Sequence, residues 1–244
     1  MKKLHKGTIK SVKQVAKGTV SLTFEPHADF TAVPGQFVSI LCDGLTLRRP
    51  FSVADFDRRL ITVLFKLKGK GTDYLASLKP GDEIDFIGAM GNGFNIKDKK
   101  ALLIGAGIGI APVFYLNKEL KQRGIESLFA GAFMTKDEVP QGLELDEIIT
   151  NDGTTGKKGS ILDHLEQIVH DYKPEVIYAC GPSIVLKAIS KLDIPSQLAL
   201  EKVMACGIGV CKGCVIKVRQ GNEIVNNTIC HDGPVFDGKE VVWE

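Results

Sequence analysis

Ala101-Leu102-Leu103-Ile104-Gly105-Ala106-Gly107-Ile108-Gly109-Ile110-Ala111-Pro112 decides the fold of this 244-residue chain. The uncharged apolar run at its start reads as a buried strand, and the glycines after it read as a tight turn. Val113 to Arg123 then takes helical spacing, with Gly124 as its stop. Strand, glycine turn and helix in this order bring helix N–H groups and the positive end of the helix dipole to where a phosphate can sit. Ile110 occupies the place of the last glycine in the dinucleotide fingerprint, so this turn alone is a weak signal with plain packing as its alternative.

The alternation continues downstream. Ser127–Gly131 reads as a strand, Ile161–His170 as a helix, Val176–Cys180 as a strand and Ile184–Leu192 as a helix. Residues 99–200 are therefore expected to form an α/β unit on a parallel sheet. Cys180-Gly181-Pro182 follows its strand as the glycine turn follows the first, so both loops open at the carboxyl edge of one sheet, where ligands bind. Asp152-Gly153 and Gly156 read as a turn.

Upstream, residues 1–98 read as β. Val20, Leu22 and Phe24 alternate with polar residues, Phe37–Ile40 is apolar at intervals, and Leu60–Phe65 is a short β-rich run. Pro34-Gly35 and Pro80-Gly81 mark turns, so an antiparallel barrel or sandwich is expected. The fold class is thus α+β and multidomain: an antiparallel barrel (1–98), a parallel-sheet unit (99–200) and a small Cys-rich module (201–244).

The module carries Cys206-x4-Cys211-x2-Cys214-x15-Cys230. This is the plant-type ligand spacing of a [2Fe–2S] cluster. Three thiolates in one loop need backbone wrapped closely around them, which Gly207, Gly209 and Gly213 permit. A structural zinc site and disulfides are the alternatives; zinc sites more often use two separated C-x2-C knuckles. Cys42 is assigned to the core. Cys180 is read as a small buried hydrophobe rather than a nucleophile, since no His stands near it in sequence.

Lys+Arg 31 against Asp+Glu 29 leaves a net charge of +2, which gives no broad basic face for nucleic acid or anionic membrane. The N-terminal MKKLHKGTIKSVKQV lacks the apolar core of a secretory signal. The uncharged stretch Ala101–Leu116 is short and broken by glycines and Pro112, so no membrane span is expected. A cytoplasmic protein is the expectation, and there cysteines serve as metal ligands more often than as disulfides.

Arg49-Pro50-Phe51-Ser52, Gly69-Lys70-Gly71-Thr72, the glycine turn and Cys180-Gly181-Pro182 together resemble the ferredoxin-NADP reductase superfamily. The tail Met204–Cys214, with Cys230-His231-Asp232-Gly233-Pro234-Val235-Phe236, narrows the resemblance to electron-transfer subunits of NAD-dependent (class B) dihydroorotate dehydrogenases. It covers essentially the whole chain in order. It departs at Glu201-Lys202-Val203, where that family commonly reads Glu-Glu-Arg. Related subunits of NAD(P)H–ferredoxin transhydrogenases and hydrogenases, or a stand-alone reductase, are the alternative.

The resemblance implies FAD, NAD and a [2Fe–2S] cluster as cofactors. Arg49 would pair with the FAD pyrophosphate, a planar cation suiting bidentate phosphate contact. Gly71 and Thr72 would present N–H and hydroxyl to the same phosphates. Pro50, Phe51, Ser52, Leu64, Phe65 and Lys66 would border the isoalloxazine, with core packing the alternative for Leu64 and Phe65. Gly105, Gly107, Gly109, Pro112, Cys180, Gly181 and Pro182 would serve the dinucleotide, with Asp152 a weaker candidate. Cys206, Cys211, Cys214 and Cys230 would hold the cluster. No catalytic acid or base is expected. The chain length is consumed by these three units, so the resemblance implies a partner: an FMN-containing catalytic subunit, in a heterotetramer of two plus two chains.

Overall fold

The computed structural model describes residues 3–243. Six strands close an antiparallel barrel in the order β1-β2-β5-β4-β3-β6. They are β1 (Lys3–Ala16), β2 (Thr19–Pro26), β3 (Phe37–Ile40), β4 (Arg49–Asp57), β5 (Leu60–Lys66) and β6 (Glu83–Met90). The period-2 pattern of β2 fixes its register on β5: Val20 faces Phe65, Leu22 faces Val63 and Phe24 faces Ile61. All six side chains are buried in the barrel core, where Phe24 meets Phe86 edge-on at 5.0 Å.

Between β5 and β6 lies α1 (Lys70–Ser77). The predicted phosphate-binding residues Gly71 and Thr72 stand in the first turn of this helix. Thr72 supplies the missing start signal: its hydroxyl accepts from the Gly69 N–H at 3.1 Å and donates to the Gly69 carbonyl at 2.8 Å.

A seven-stranded sheet follows, in the order β10-β9-β8-β7-β11-β12-β15. The new elements are β7 (Ala101–Ala106), α2 (Ile110–Gln122), β8 (Ser127–Phe133), β9 (Glu147–Thr150), β10 (Lys157–Lys158), α3 (Ile161–Tyr172), β11 (Val176–Cys180), α4 (Ser183–Ile189) and β12 (Ser196–Ala199). The strands from β10 to β12 are parallel. Every residue of β7 and β11 is buried, as expected of central strands covered on both faces. Helix α3 starts at a reciprocal cap, with the Ser160 N–H donating to Asp163 Oδ2 at 2.7 Å.

The tail is more than a cysteine loop. It contains a hairpin, β13 (Val215–Gln220) with β14 (Glu223–Thr228), and then β15 (Val235–Asp237), which joins the edge strand β12 antiparallel. The last strand of the expected third unit thus belongs to the sheet of the second. The outer limits of the first and third expected units, Met1 and Glu244, lie outside the described residues. Among the described residues no helix is long and apolar enough to cross a membrane.

Barrel and sheet are tied directly. Tyr115 on α2 donates to the Ala32 carbonyl at 2.9 Å, and Lys118 on α2 binds Asp55 on β4 at 2.9 Å.

Candidate functional site

The pairing of β3, β4 and β5 brings one group of predicted residues to a common wall. Pro50, Phe51, Ser52, Leu64, Phe65, Lys66 and Thr72 line a cleft of about 250 Å³. Phe51 and Phe65 stand 5.2 Å apart between ring centroids. The lining is completed by Ile108 from the glycine turn and Ala111 from α2, with Leu200, Glu201, Lys202, Met204 and Pro234. Largely apolar walls with a few polar groups suit a flat ring system.

Arg49 does not line this cleft. Its guanidinium donates to the Leu47 carbonyl and lies across the first turn of α1. A Cβ on Gly71 would stand 2.9 Å from Arg49 Nε, so only glycine leaves room for the cation beside the helix start. The Cys42 thiol donates to the Gly71 carbonyl at 3.5 Å. Burial pushes that thiol up, with Arg49 opposing, so Cys42 is a neutral core group.

A second cleft of about 840 Å³ adjoins the first and shares Lys66, Lys68, Ile108, Leu200, Glu201 and Lys202 with it. Gly107, Gly109, Gly181 and Pro182 line it. Gly107 is required by its φ of +58°, Gly109 and Gly181 by close approach. A Cβ on Gly109 would come 2.5 Å from the Cys180 carbonyl oxygen, and one on Gly181 would come 2.7 Å from Ala106 Cβ. Gly105 and Pro112 are buried behind the turn; Gly105 admits Ile110, whose Cα would lie 2.7 Å from a Cβ there. Cys180 is 1% exposed, and burial, seconded by the charge of Glu201, pushes its thiol well above the usual range. It is a neutral buried group that lines neither cleft. Asp152 is committed locally, accepting from the N–H and hydroxyl of Thr154 at 3.0 and 2.7 Å.

Glu201, Lys202, Leu200 and Lys68 were not expected at the site. Residues 200–202 directly follow β12, so the carboxyl-edge rule that selected 105–109 and 180–182 would also have selected them. Glu201 opens onto the cleft but is walled closely enough that desolvation raises its pKa, against the opposing charge of Lys68.

The four clustered cysteines form two pairs. The Cys211 N–H donates to Cys206 Sγ at 3.3 Å, and the Cys230 N–H donates to Cys214 Sγ at 3.5 Å. Cys211 is exposed and Cys206 partly so, whereas Cys214 and Cys230 are buried at 2% and 1%. Burial opposes ionisation of Cys206, but N–H groups of Cys211, Ile208 and Val210 outweigh it and hold the thiol at about 6. At Cys230 burial dominates and pushes the thiol up to about 11. Gly209 takes φ +90° where a Cβ would stand 2.8 Å from His231 Cβ, so the loop wraps closely. At Gly207 the loop leans on the barrel, beside Ser39 and Met90.

All six cysteines are free thiols. Among the described residues no three His, Cys, Asp or Glu side chains converge as ligands of one ion. Two cysteine pairs with amide N–H groups aimed at sulfur fit a two-iron cluster better than a single tetrahedral zinc.

Barrel, parallel sheet and cysteine loop around one double cleft define a ferredoxin-reductase-type oxidoreductase fold with an iron–sulfur module. Residues 201–242 match the family described as the iron-sulfur cluster binding domain of dihydroorotate dehydrogenase B. A chain of the NADH-dependent reduced ferredoxin-NADP oxidoreductase superposes with a TM-score of 0.85 at 28% identity, covering 97% of this chain and 90% of that one. A ferredoxin NADP+ reductase from Neisseria gonorrhoeae, at 16% identity and TM-score 0.63 over 76% of this chain and 88% of that one, shares the fold. The dihydroorotate dehydrogenase B (NAD(+)) electron transfer subunit of Caldanaerobacter subterraneus subsp. tengcongensis is 37% identical over 98% of both chains. Its counterpart in Geobacillus kaustophilus is 36% identical over 96% of this chain and 97% of that one. The chain belongs to this family of dihydroorotate dehydrogenase B electron transfer subunits.

Proposed function

We propose that the chain carries electrons between NAD(H) and an FMN-containing dihydroorotate dehydrogenase catalytic subunit in pyrimidine biosynthesis. It works through FAD and a [2Fe–2S] cluster, in the cytoplasm and within a heterotetramer of two plus two chains. One observation carries the reading: the flavin-type wall and the dinucleotide-type turns line one continuous double cleft, which the cysteine module closes.

When bound, the flavin supplies two-electron exchange with the nicotinamide and the cluster supplies one-electron carriage. The protein's part is placement. Arg49, Gly71 and Thr72 would hold the FAD pyrophosphate at the start of α1. Pro50, Phe51, Ser52, Leu64, Phe65 and Lys66 would border the ring. Gly107, Gly109, Gly181 and Pro182 would give the dinucleotide its close backbone approach, with Cys180, Gly105 and Pro112 packing behind. Cys206 with Cys211, and Cys214 with Cys230, would hold the cluster. The functional units would be 1–98 for FAD, 99–200 for NAD and 201–244 for the cluster, the last borrowing β12 as a partner for β15.

Similarity to the ferredoxin-NADP oxidoreductase chain favours a second reading, the electron-input subunit of a transhydrogenase. Higher identity over the full length to the dihydroorotate dehydrogenase subunits favours the first. The test is anaerobic addition of NADH to the purified, cofactor-loaded chain. The proposal expects bleaching of the flavin bands and the paramagnetic signal of a reduced [2Fe–2S] cluster. A loaded protein in which NADH changes neither would overturn it.

A further inference from the structure

Lys66 ends β5 and lines both clefts. Its ammonium is held by Glu138, with Nζ 2.9 Å from Oε2, and the two side chains are 28% and 21% exposed. Glu138 comes from the sheet unit, in the short turn Lys136–Glu138 after β8. Backbone bonds on both sides fix that turn. The Lys17 N–H donates to the Asp137 carbonyl at 2.7 Å, and the Gln141 N–H donates to the Val15 carbonyl at 2.9 Å. The Lys136 N–H donates to Thr154 Oγ1 at 2.8 Å. A carboxylate is thus delivered from the sheet unit to a cation on the barrel wall.

Two other lysines at the clefts have different partners. Lys202 donates to the Val215 carbonyl at 2.6 Å, and Lys68 acts on Glu201. Charge beside a flavin shifts its redox balance, because the reduced ring carries the added negative charge. A partly buried pair is screened less than an exposed one.

We propose that Glu138 is a positioning residue for the electron-transfer site: it fixes the Lys66 ammonium between the flavin and dinucleotide clefts and offsets its charge there. This rests on the flavin reading of the first cleft. The alternative is a strut that merely ties the two units. Lys118 with Asp55 is such a tie, and neither residue lines the clefts.

The test uses the FAD-loaded holoprotein and reads the ratio of reduced to oxidised flavin at a fixed poise set by redox dyes. Glu138→Gln leaves Lys66 uncompensated, so the ratio rises about fivefold. Lys66→Met leaves Glu138 uncompensated, so it falls by a similar factor. The double variant returns near the parent ratio, and Asp55→Asn leaves it unchanged. Single variants that move the ratio the same way or not at all, or an Asp55→Asn shift of equal size, overturn the inference. A parent protein that takes up no FAD overturns the flavin reading itself, which separates the two failures.

Discussion

Arg49 lies across Gly71 so closely that a Cβ on the glycine would stand 2.9 Å from the guanidinium Nε. The pair joins the first residue of β4 to the first turn of α1, one strand and one loop apart in the barrel. A fixed cation beside helix N–H groups is an anion site.

Gly71→Ala therefore displaces the cation while leaving helix α1 intact, since alanine favours helix. FAD affinity is expected to fall roughly tenfold, the scale of one charge-assisted contact. Flavin released on dialysis measures it; unchanged retention would count against the phosphate role.

Gly109→Ala addresses the second cleft. The added Cβ would meet the Cys180 carbonyl, 2.5 Å away, and backbone cannot swing aside as a side chain can. The variant is expected to lose ~1–3 kcal/mol of stability and to slow flavin reduction by NADH while retaining FAD. Stopped-flow reduction with a flavin assay on the same sample checks both halves.

The cysteine pairs should behave differently. Cys211→Ser is expected to lower iron content with little change in melting of the iron-free chain, because Cys211 is exposed. Cys214→Ser should lower both, since Cys214 is 2% exposed and exchanging a buried thiol for a more polar hydroxyl costs about 1–3 kcal/mol. Iron analysis and thermal melts of the iron-free proteins separate the cases.

Val203 and Val210 are 87% and 75% exposed; the first precedes the Cys206–Cys211 loop and the second lies within it. Apolar side chains left in water beside an electron-exit site suit a partner surface. Val203→Asp with Val210→Asp is expected to weaken association with the catalytic subunit by at least roughly tenfold while NADH still reduces the flavin. Equal affinity in a binding titration would move the docking surface elsewhere.

The sheet unit was the most legible part of the sequence. Val176–Cys180 matches β11 residue for residue, because a buried parallel strand is a continuous apolar run ended by Gly181-Pro182. Strand β1 does not stand out within the β-rich first unit, because Lys3-Leu4-His5-Lys6-Gly7-Thr8-Ile9-Lys10 breaks apolar alternation in a strand only partly buried. Helix α1 was hidden by Gly69 and Gly71, which read as breakers although Thr72 caps the helix. Strand β15 is too short to show a period and forms through its pairing with β12. At the site, the motif residues were legible because glycine, arginine and cysteine are used at fixed spacings. Glu138 carried no local signal, since its partner Lys66 lies 72 positions away and only the fold joins them.

In the proposed function this chain conducts electrons between NAD and a separate dihydroorotate-oxidising subunit. The most direct measurement is dihydroorotate-driven reduction of NAD+ with each loaded chain alone and with the two mixed. The account predicts no NADH from either alone and steady NADH formation on mixing, lost again when Cys211→Ser replaces the parent chain. NADH formation by the catalytic subunit alone, or none on mixing two fully loaded chains, would contradict it.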